Sequence, residues 1–212
     1  MADKLLNIRE FLEDTTEARE KLYKFFAPKM YGVCLRFGKN AMEADDILHE
    51  AFVKVFTKIK YFRKEGSLEG WIRRTVVNTA INFVKKDARY QQLLESASNE
   101  RVLQNANSDI YQMLTHEELL KMIQELPPGY RTVFNLNVLE GYTHKEIGQM
   151  LNISDNTSKS QLTRARQVLQ KKIAALIEEK KRAKEQADPV IYAQERFGGA
   201  HAEVNPLLSN AV

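Results

Sequence analysis

The chain has 212 residues, 43% of them hydrophobic, and a formal net charge of +4, which is enough apolar material for one or two packed domains. Nine glycines and five prolines are few for that length and disfavour a many-stranded sheet. No apolar run approaches a membrane span, the acidic opening MADKLLNIREFLED is unlike an export signal, and the lone Cys34 excludes an internal disulfide or a cysteine-based metal site.

Residues 17–37 carry apolar side chains at helical intervals, and Pro28 predicts an interruption or bend there. Ala41 to Ile59 predicts a cleaner amphipathic helix, because Ile47, Leu48, Ala51, Phe52, Val55, Phe56 and Ile59 form one broad stripe. A break is expected at Lys64-Glu65-Gly66-Ser67. A long helix then runs from Leu68 to Arg89, with Trp71, Ile72, Val76, Ile81 and Val84 as its apolar contacts. Residues 96–109 have few apolar side chains and no stripe, which predicts a linker. Thr115 with Glu118 is a capping box, opening a helix that Pro127-Pro128 ends. Pro128 can start the next helix, through Tyr130, Val133, Phe134 and Leu136 to Gly141.

Tyr142 to Arg166 predicts two short helices joined by a tight turn. Thr143 and Glu146 form a capping box, Ile147 and Leu151 mark a buried stripe, and Gly148 allows a close neighbour. Asn152 suits a left-handed turn, Ile153 plugs the corner, and Ser154 caps the second helix. That helix carries Lys159, Arg164, Arg166, Lys171 and Lys172 with no acid from Ser158 to Lys172. A helix-turn-helix whose second helix enters a DNA major groove fits this pattern. An ordinary helical hairpin with a solvated basic face is the plainer alternative. The helix is expected to continue past Leu169, Ile173 and Leu176 into a solvated run, EEKKRAKEQ. A mobile tail is expected beyond Pro189.

Charge lies in blocks. Ala41 to Val53 holds four acids (Glu43, Asp45, Asp46, Glu50) and no lysine or arginine, whereas Lys54 to Arg89 holds ten basic residues against three acids. The acids also have a structural use, since carboxylates favour a helix N-terminus. Tyr61, Phe62, Arg63, Lys64, Trp71, Arg73, Arg74, Asn78 and Asn82 combine rings, cations and amides, the chemistry that holds single-stranded nucleic acid. Trp71 and Phe62 are equally well read as core.

Taken together, these blocks resemble the extracytoplasmic-function (ECF) group of bacterial RNA polymerase sigma factors, over roughly residues 20–173. The segment EADDILHEAFVKVF is similar to the helix by which that family docks on the polymerase clamp. The resemblance places Asp45, Asp46, Leu48, His49, Phe52 and Val53 in that contact, with His49 where glutamine is usual. The family's WL-x-x-I-x-x-N pattern appears as Trp71-Ile72, Val76 and Asn78. It implies minus-ten DNA binding by Phe62, Arg63, Lys64, Ser67, Trp71, Arg73, Arg74, Asn78 and Asn82, with a flipped base held between the loop and Asn78. Leu126-Pro127, Arg131, Val133-Phe134, Glu140-Gly141, Glu146-Ile147 and residues 157–166 resemble the family's minus-thirty-five module. There His144, Lys145, Thr157, Lys159, Ser160, Thr163, Arg164 and Arg166 are the DNA candidates. Ser158 stands where the family has an inward valine, and Gln161 where it has an arginine, a change expected to alter a polar contact and promoter preference.

The fold implied is all-α: two small helical domains, sigma region two and sigma region four, joined by a flexible linker. The boundaries are 1–94, 95–112 for the linker, 113–177, and a mobile extension over 178–212. The implied function is that of a cytoplasmic sigma factor that binds core RNA polymerase and promoter DNA and helps melt it. An anti-sigma factor is an implied partner. No catalytic residue, metal, cofactor, small-molecule substrate or membrane insertion is expected. His49, His116, His144 and His201 lack ligand spacing, and no phosphate loop or grouped carboxylates suggest a nucleic-acid enzyme. The rival reading is a helix-turn-helix regulator that acts without polymerase docking.

Overall fold

A computed structural model describes residues 11, 13, 15–63, 65–86 and 114–187. Every regular element among them is helical: α1 (Thr16–Phe37), α2 (Ala41–Lys58), a 3-10 turn (Ile59–Tyr61), α3 (Leu68–Lys86), α4 (His116–Gln124), α5 (Pro128–Phe134), a π-helical turn (Asn135–Leu139), α6 (His144–Leu151) and α7 (Asp155–Ala187). The residues expected to form the linker and the terminal tail lie outside the described ones, as does Lys64. Contacts divide the chain into two units, Met1–Leu169 and Gln170–Val212.

The caps explain most helix ends. Thr15 accepts from the Ala18 amide and Asn40 from the Glu43 amide, starting α1 and α2. Reciprocal capping boxes, Thr115 with Glu118 and Thr143 with Glu146, start α4 and α6. Those hydrogen bonds from Thr143 hold the Glu146 carboxyl below its ordinary range. Asn152 takes the left-handed conformation at φ 59°, ψ 48°, which turns the chain from α6 into α7.

Two expectations differ from the structure. Pro28 does not interrupt α1, which runs through it; Pro28 has no N–H to donate to the Lys24 carbonyl, and both residues lie on the exposed face. The segment EEKKRAKEQ, expected to begin the extension, is helical and continues α7 to Ala187. In that second unit Glu178, Glu179, Lys181 and Arg182 are exposed, and Lys181 Nζ lies 3.4 Å from Glu178 Oε1.

In the first unit α1, α2 and α3 pack on one another, and α1 also meets α4 and α5. One apolar core joins Leu22, Met30, Phe37, Ile47, Phe52, Ile72 and Val76 to Val133, Leu136, Ile147, Leu151 and Leu162. Cys34 sits within it, and burial pushes its thiol up to about 12. The orphan carbonyls that end α1 are met from far along the chain. Gln124 Nε2 donates to the Leu35 carbonyl at 2.9 Å, and Asn135 Nδ2 donates to that of Arg36 at 2.7 Å. Lys85 Nζ on α3 donates to the Met150 carbonyl in the last turn of α6 at 2.6 Å.

Two substitutions test this packing. A Cβ on Gly148 would lie 2.8 Å from the Ile153 carbonyl oxygen, so Gly148→Ala strains the helix-turn-helix corner. Overpacking there outweighs the helix propensity gained, and urea melting should show a net loss of about 1 kcal/mol or more. Gln161 is 0% exposed, and neither of its amide atoms has a hydrogen-bond partner. Gln161→Leu should raise stability by about 1–3 kcal/mol in the same assay.

Candidate functional site

Three exposed faces carry the polar residues of interest. On α7 the inward positions are Ser158, Gln161, Leu162 and Ala165, all buried. The helical period therefore turns Lys159, Thr163 and Arg166 to the opposite side, where Lys159 and Arg166 are exposed and Thr163 half-buried. Arg164 is half-buried and Lys145 exposed. Thr157 and Ser160 are partly committed to the helix itself: the Ser154 hydroxyl accepts the Thr157 amide at 3.0 Å, and Ser160 donates to the Thr157 carbonyl at 2.9 Å.

Ser158, at the inward position, lies 2.9 Å from His144 Nδ1, so that ring nitrogen pins α6 onto α7 instead of facing outward. Gln161 packs against Gly129, whose added Cβ would sit 3.1 Å from Gln161 Oε1. It belongs to the interior, where its amide has no hydrogen-bond partner, whereas the sequence reading expected an altered polar contact at this position. Its spacing from Ser158 and Ala165 carried that information.

On α3 the exposed stripe is Arg74, Asn78 and Asn82, one turn apart in succession, with Ile72, Val76, Val77, Ala80 and Ile81 buried behind it. The loop before α3 exposes Arg63 and Ser67, and the Ser67 hydroxyl caps the helix by accepting the Gly70 amide at 3.0 Å. Phe62 differs from expectation. It is only 8% exposed, its ring centroid 5.7 Å from that of the half-buried Trp71, so it supports the loop from beneath. The exposed aromatic is its neighbour Tyr61, at 70%, with Lys60 Nζ 5.2 Å from the ring centroid.

Arg73 leaves the stripe and turns toward the module that contains α5 and α6. Its Nε donates to Glu140 Oε2 at 2.6 Å and its Nη2 to Glu140 Oε1 at 3.0 Å. Arg36 Nη2 donates to the same Oε1 at 2.8 Å. The Glu140 side chain is 3% exposed between them. This hydrogen-bonded partner holds the Arg73 guanidinium above its ordinary range. The π-helical turn sets up the arrangement, with the Glu140 amide bonded to the Asn135 carbonyl and the Tyr142 amide to that of Leu136.

On α2, Asp45, Asp46, His49 and Val53 are exposed along one face. Leu48 and Phe52 are not available there: both are buried, and Tyr23 covers Phe52 in an edge-to-face contact at 4.8 Å. Met42, exposed at 75% at the start of the same helix, and Tyr23 were missed by the sequence reading. Their helical phase relative to Asp46 and Phe52 was the available signal. Beside this face Glu50 pairs with Lys54 at 2.7 Å, a hydrogen bond that lowers its carboxyl from the ordinary range. Burial raises the Tyr31 hydroxyl, and the neighbouring Asp45 carboxylate adds to that.

The order of the two helical modules matches known proteins. The Sigma-70 region 2 family profile matches residues 22–90, and that of Sigma-70, region 4 matches residues 116–169, together more than half of the chain. The RNA polymerase sigma-H factor of Pseudomonas aeruginosa is 28% identical over 161 residues, covering 71% of this chain and 83% of its own. The ECF RNA polymerase sigma factor SigW of Bacillus subtilis is 28% identical over 179 residues, covering 80% and 96%. Among solved structures, the sigma factor RpoE in complex with the anti-sigma factor NepR from Bartonella quintana aligns with a TM-score of 0.47 at 19% identity, covering 73% of this chain and 96% of that one. With both sigma modules present in order, and with ECF factors matching along most of its length, the chain belongs to the ECF family of RNA polymerase sigma factors.

Proposed function

We propose that this sigma factor acts by holding three partners at once: core RNA polymerase on α2, the minus-ten non-template strand on α3 and the loop before it, and the minus-thirty-five duplex on α7. The observation that carries the reading is the occurrence of both sigma modules on one chain, each with a polar stripe on its solvent side. The protein does no bond chemistry of its own and works in the cytoplasm, where polymerase is found. No helix among the described residues is long and apolar enough to cross a membrane.

Each contact has its own physical role. Asp45, Asp46 and His49 offer charge and hydrogen bonds to the clamp, while Val53 and Met42 offer apolar area. Arg63 and Arg74 pair with strand phosphates, Asn78 and Asn82 read base edges, and Tyr61 supplies a stacking surface beside the half-buried Trp71. Capture of an unstacked base offsets the few kcal/mol needed to extrude it. On α7, Lys159 and Thr163 face base edges, with Arg164 and Ser160 at the margin. Arg166 and Lys145 bind phosphates, which fix register without reading sequence. Neither DNA face is large, so attachment to core makes the second DNA contact effectively intramolecular. An anti-sigma factor is the proposed regulator, on the strength of family membership.

Two sets of variants check these roles. Arg74→Ala and Asn78→Ala should leave core binding intact and abolish permanganate reactivity of the minus-ten thymines in holoenzyme; unchanged reactivity would move strand opening elsewhere. Lys159→Ala should cost about 1–3 kcal/mol on the cognate promoter and relax one base position. Arg166→Ala should instead weaken every sequence alike and flatten the log–log salt slope by about 0.9. Titrations of fluorescent promoter fragments at several salt concentrations separate the two.

A further inference from the structure

Ser158 is completely buried on the inward side of α7, at the position where an apolar valine was expected, and its hydroxyl is spent on one contact, with His144. We propose that Ser158 is a positioning residue for a DNA contact: its hydroxyl holds His144 in the tautomer that carries the hydrogen on Nε2, and that N–H donates to a backbone phosphate of the minus-thirty-five duplex. The inference deepens the promoter-binding reading above, and its DNA half rests on that reading.

The hydrogen positions follow from counting partners. Ser158 Oγ lies 2.9 Å from His144 Nδ1. The Ser154 carbonyl accepts the Ser158 amide, and among the described residues the hydroxyl has no hydrogen-bond partner besides Nδ1. A buried O–H needs an acceptor. Nδ1 can accept only when it carries no hydrogen, and in a neutral imidazole the hydrogen is then on Nε2. The opposite assignment, with Nδ1–H donating to Oγ, would satisfy the ring and leave the serine hydrogen buried without a partner, which is the costlier choice.

The other ring nitrogen is on the solvent side. Nε2 has no hydrogen-bond partner among the described residues and is not among their buried unpartnered atoms, and His144 is only half-buried. His144 is the first residue of α6, and in a helix-turn-helix the first helix crosses the DNA backbone. Its exposed neighbour Lys145 already faces the phosphates in the reading above. An uncharged N–H on a phosphate fixes register but releases no counterion, unlike Lys145 or Arg166. Ser158 itself, being buried, touches no DNA. The hydroxyl that seats the reading helix on α6 thereby also decides which nitrogen of His144 is the donor.

Ser158→Val and Ser158→Thr test this, because the two introduced side chains are both β-branched and differ by one hydroxyl. In the full chain, labelled with nitrogen-15 at histidine and kept at about pH 8.5, long-range proton–nitrogen spectra read the neutral tautomers directly. The His144 signals are those lost in His144→Gln. Wild type and Ser158→Thr should show the His144 hydrogen on Nε2 alone, and Ser158→Val a mixture of the two tautomers. Holoenzyme carrying Ser158→Val should bind the promoter about two- to fivefold more weakly with its log–log salt slope unchanged, and Ser158→Thr should restore wild-type affinity. A hydrogen on Nδ1 in the wild type, or one spectrum shared by wild type and Ser158→Val, would overturn the tautomer lock. Promoter binding by Ser158→Val as tight as wild type would overturn the DNA role, as would a salt slope flattened by about 0.9, the mark of a lost cation. The spectra need no DNA, so a failure of every holoenzyme to bind promoter would count against the promoter-binding reading and leave the tautomer result readable.

Discussion

The C-terminal end of α1 is the constraint on which the arrangement depends. A helix that stops inside a protein leaves its last carbonyls without partners, and each such group, buried and unmet, costs about 1–3 kcal/mol. In this chain the Gly38 amide meets the Cys34 carbonyl, and Gln124 and Asn135 meet the next two. The Arg36 side chain then reaches Glu140. The second module is thus the cap of the first module's longest helix. The ion-pair cluster adds orientation more than net stability, because desolvating Glu140 offsets much of its attraction to the two arginines. Removing the carboxylate alone leaves two guanidinium groups facing each other across the same gap.

Local signals in the sequence were strong, and the local structure follows them. Capping boxes at Thr115 and Thr143, the left-handed turn at Asn152 and the cap at Ser154 all lie within a few residues of what they control. The amphipathic stripe of α2 is likewise a matter of spacing alone. Contacts between modules were not legible. Glu140 lies 104 residues from Arg36 and 67 from Arg73, and no periodicity links positions so far apart. The π-helical turn that aims Glu140 was also invisible, since nothing in NLNVL distinguishes it from ordinary helix.

At the candidate site the differences between expectation and structure are differences of phase. Chemistry suggested which residue types bind DNA or polymerase, but only the helical and loop geometry decides which of them face out. Phe62 and Tyr61 are adjacent and equally aromatic; the first turns under Trp71 and the second into solvent. Phe52 and Val53 divide in the same way on α2, and Gln161 and Lys159 on α7. For the two helices, counting from a buried neighbour resolves the choice. For the loop it does not, because the 3-10 turn over Ile59–Tyr61 breaks the period.

A sigma factor works attached to something large, the core RNA polymerase, and the proposed role of α2 is to make that attachment. That attachment is the central claim, and gel filtration of the purified chain with sigma-free core RNA polymerase tests it most directly. The account predicts one-to-one co-migration, weakened by Val53→Asp on the exposed face of α2. A chain that elutes alone at every ratio of the two components would contradict it.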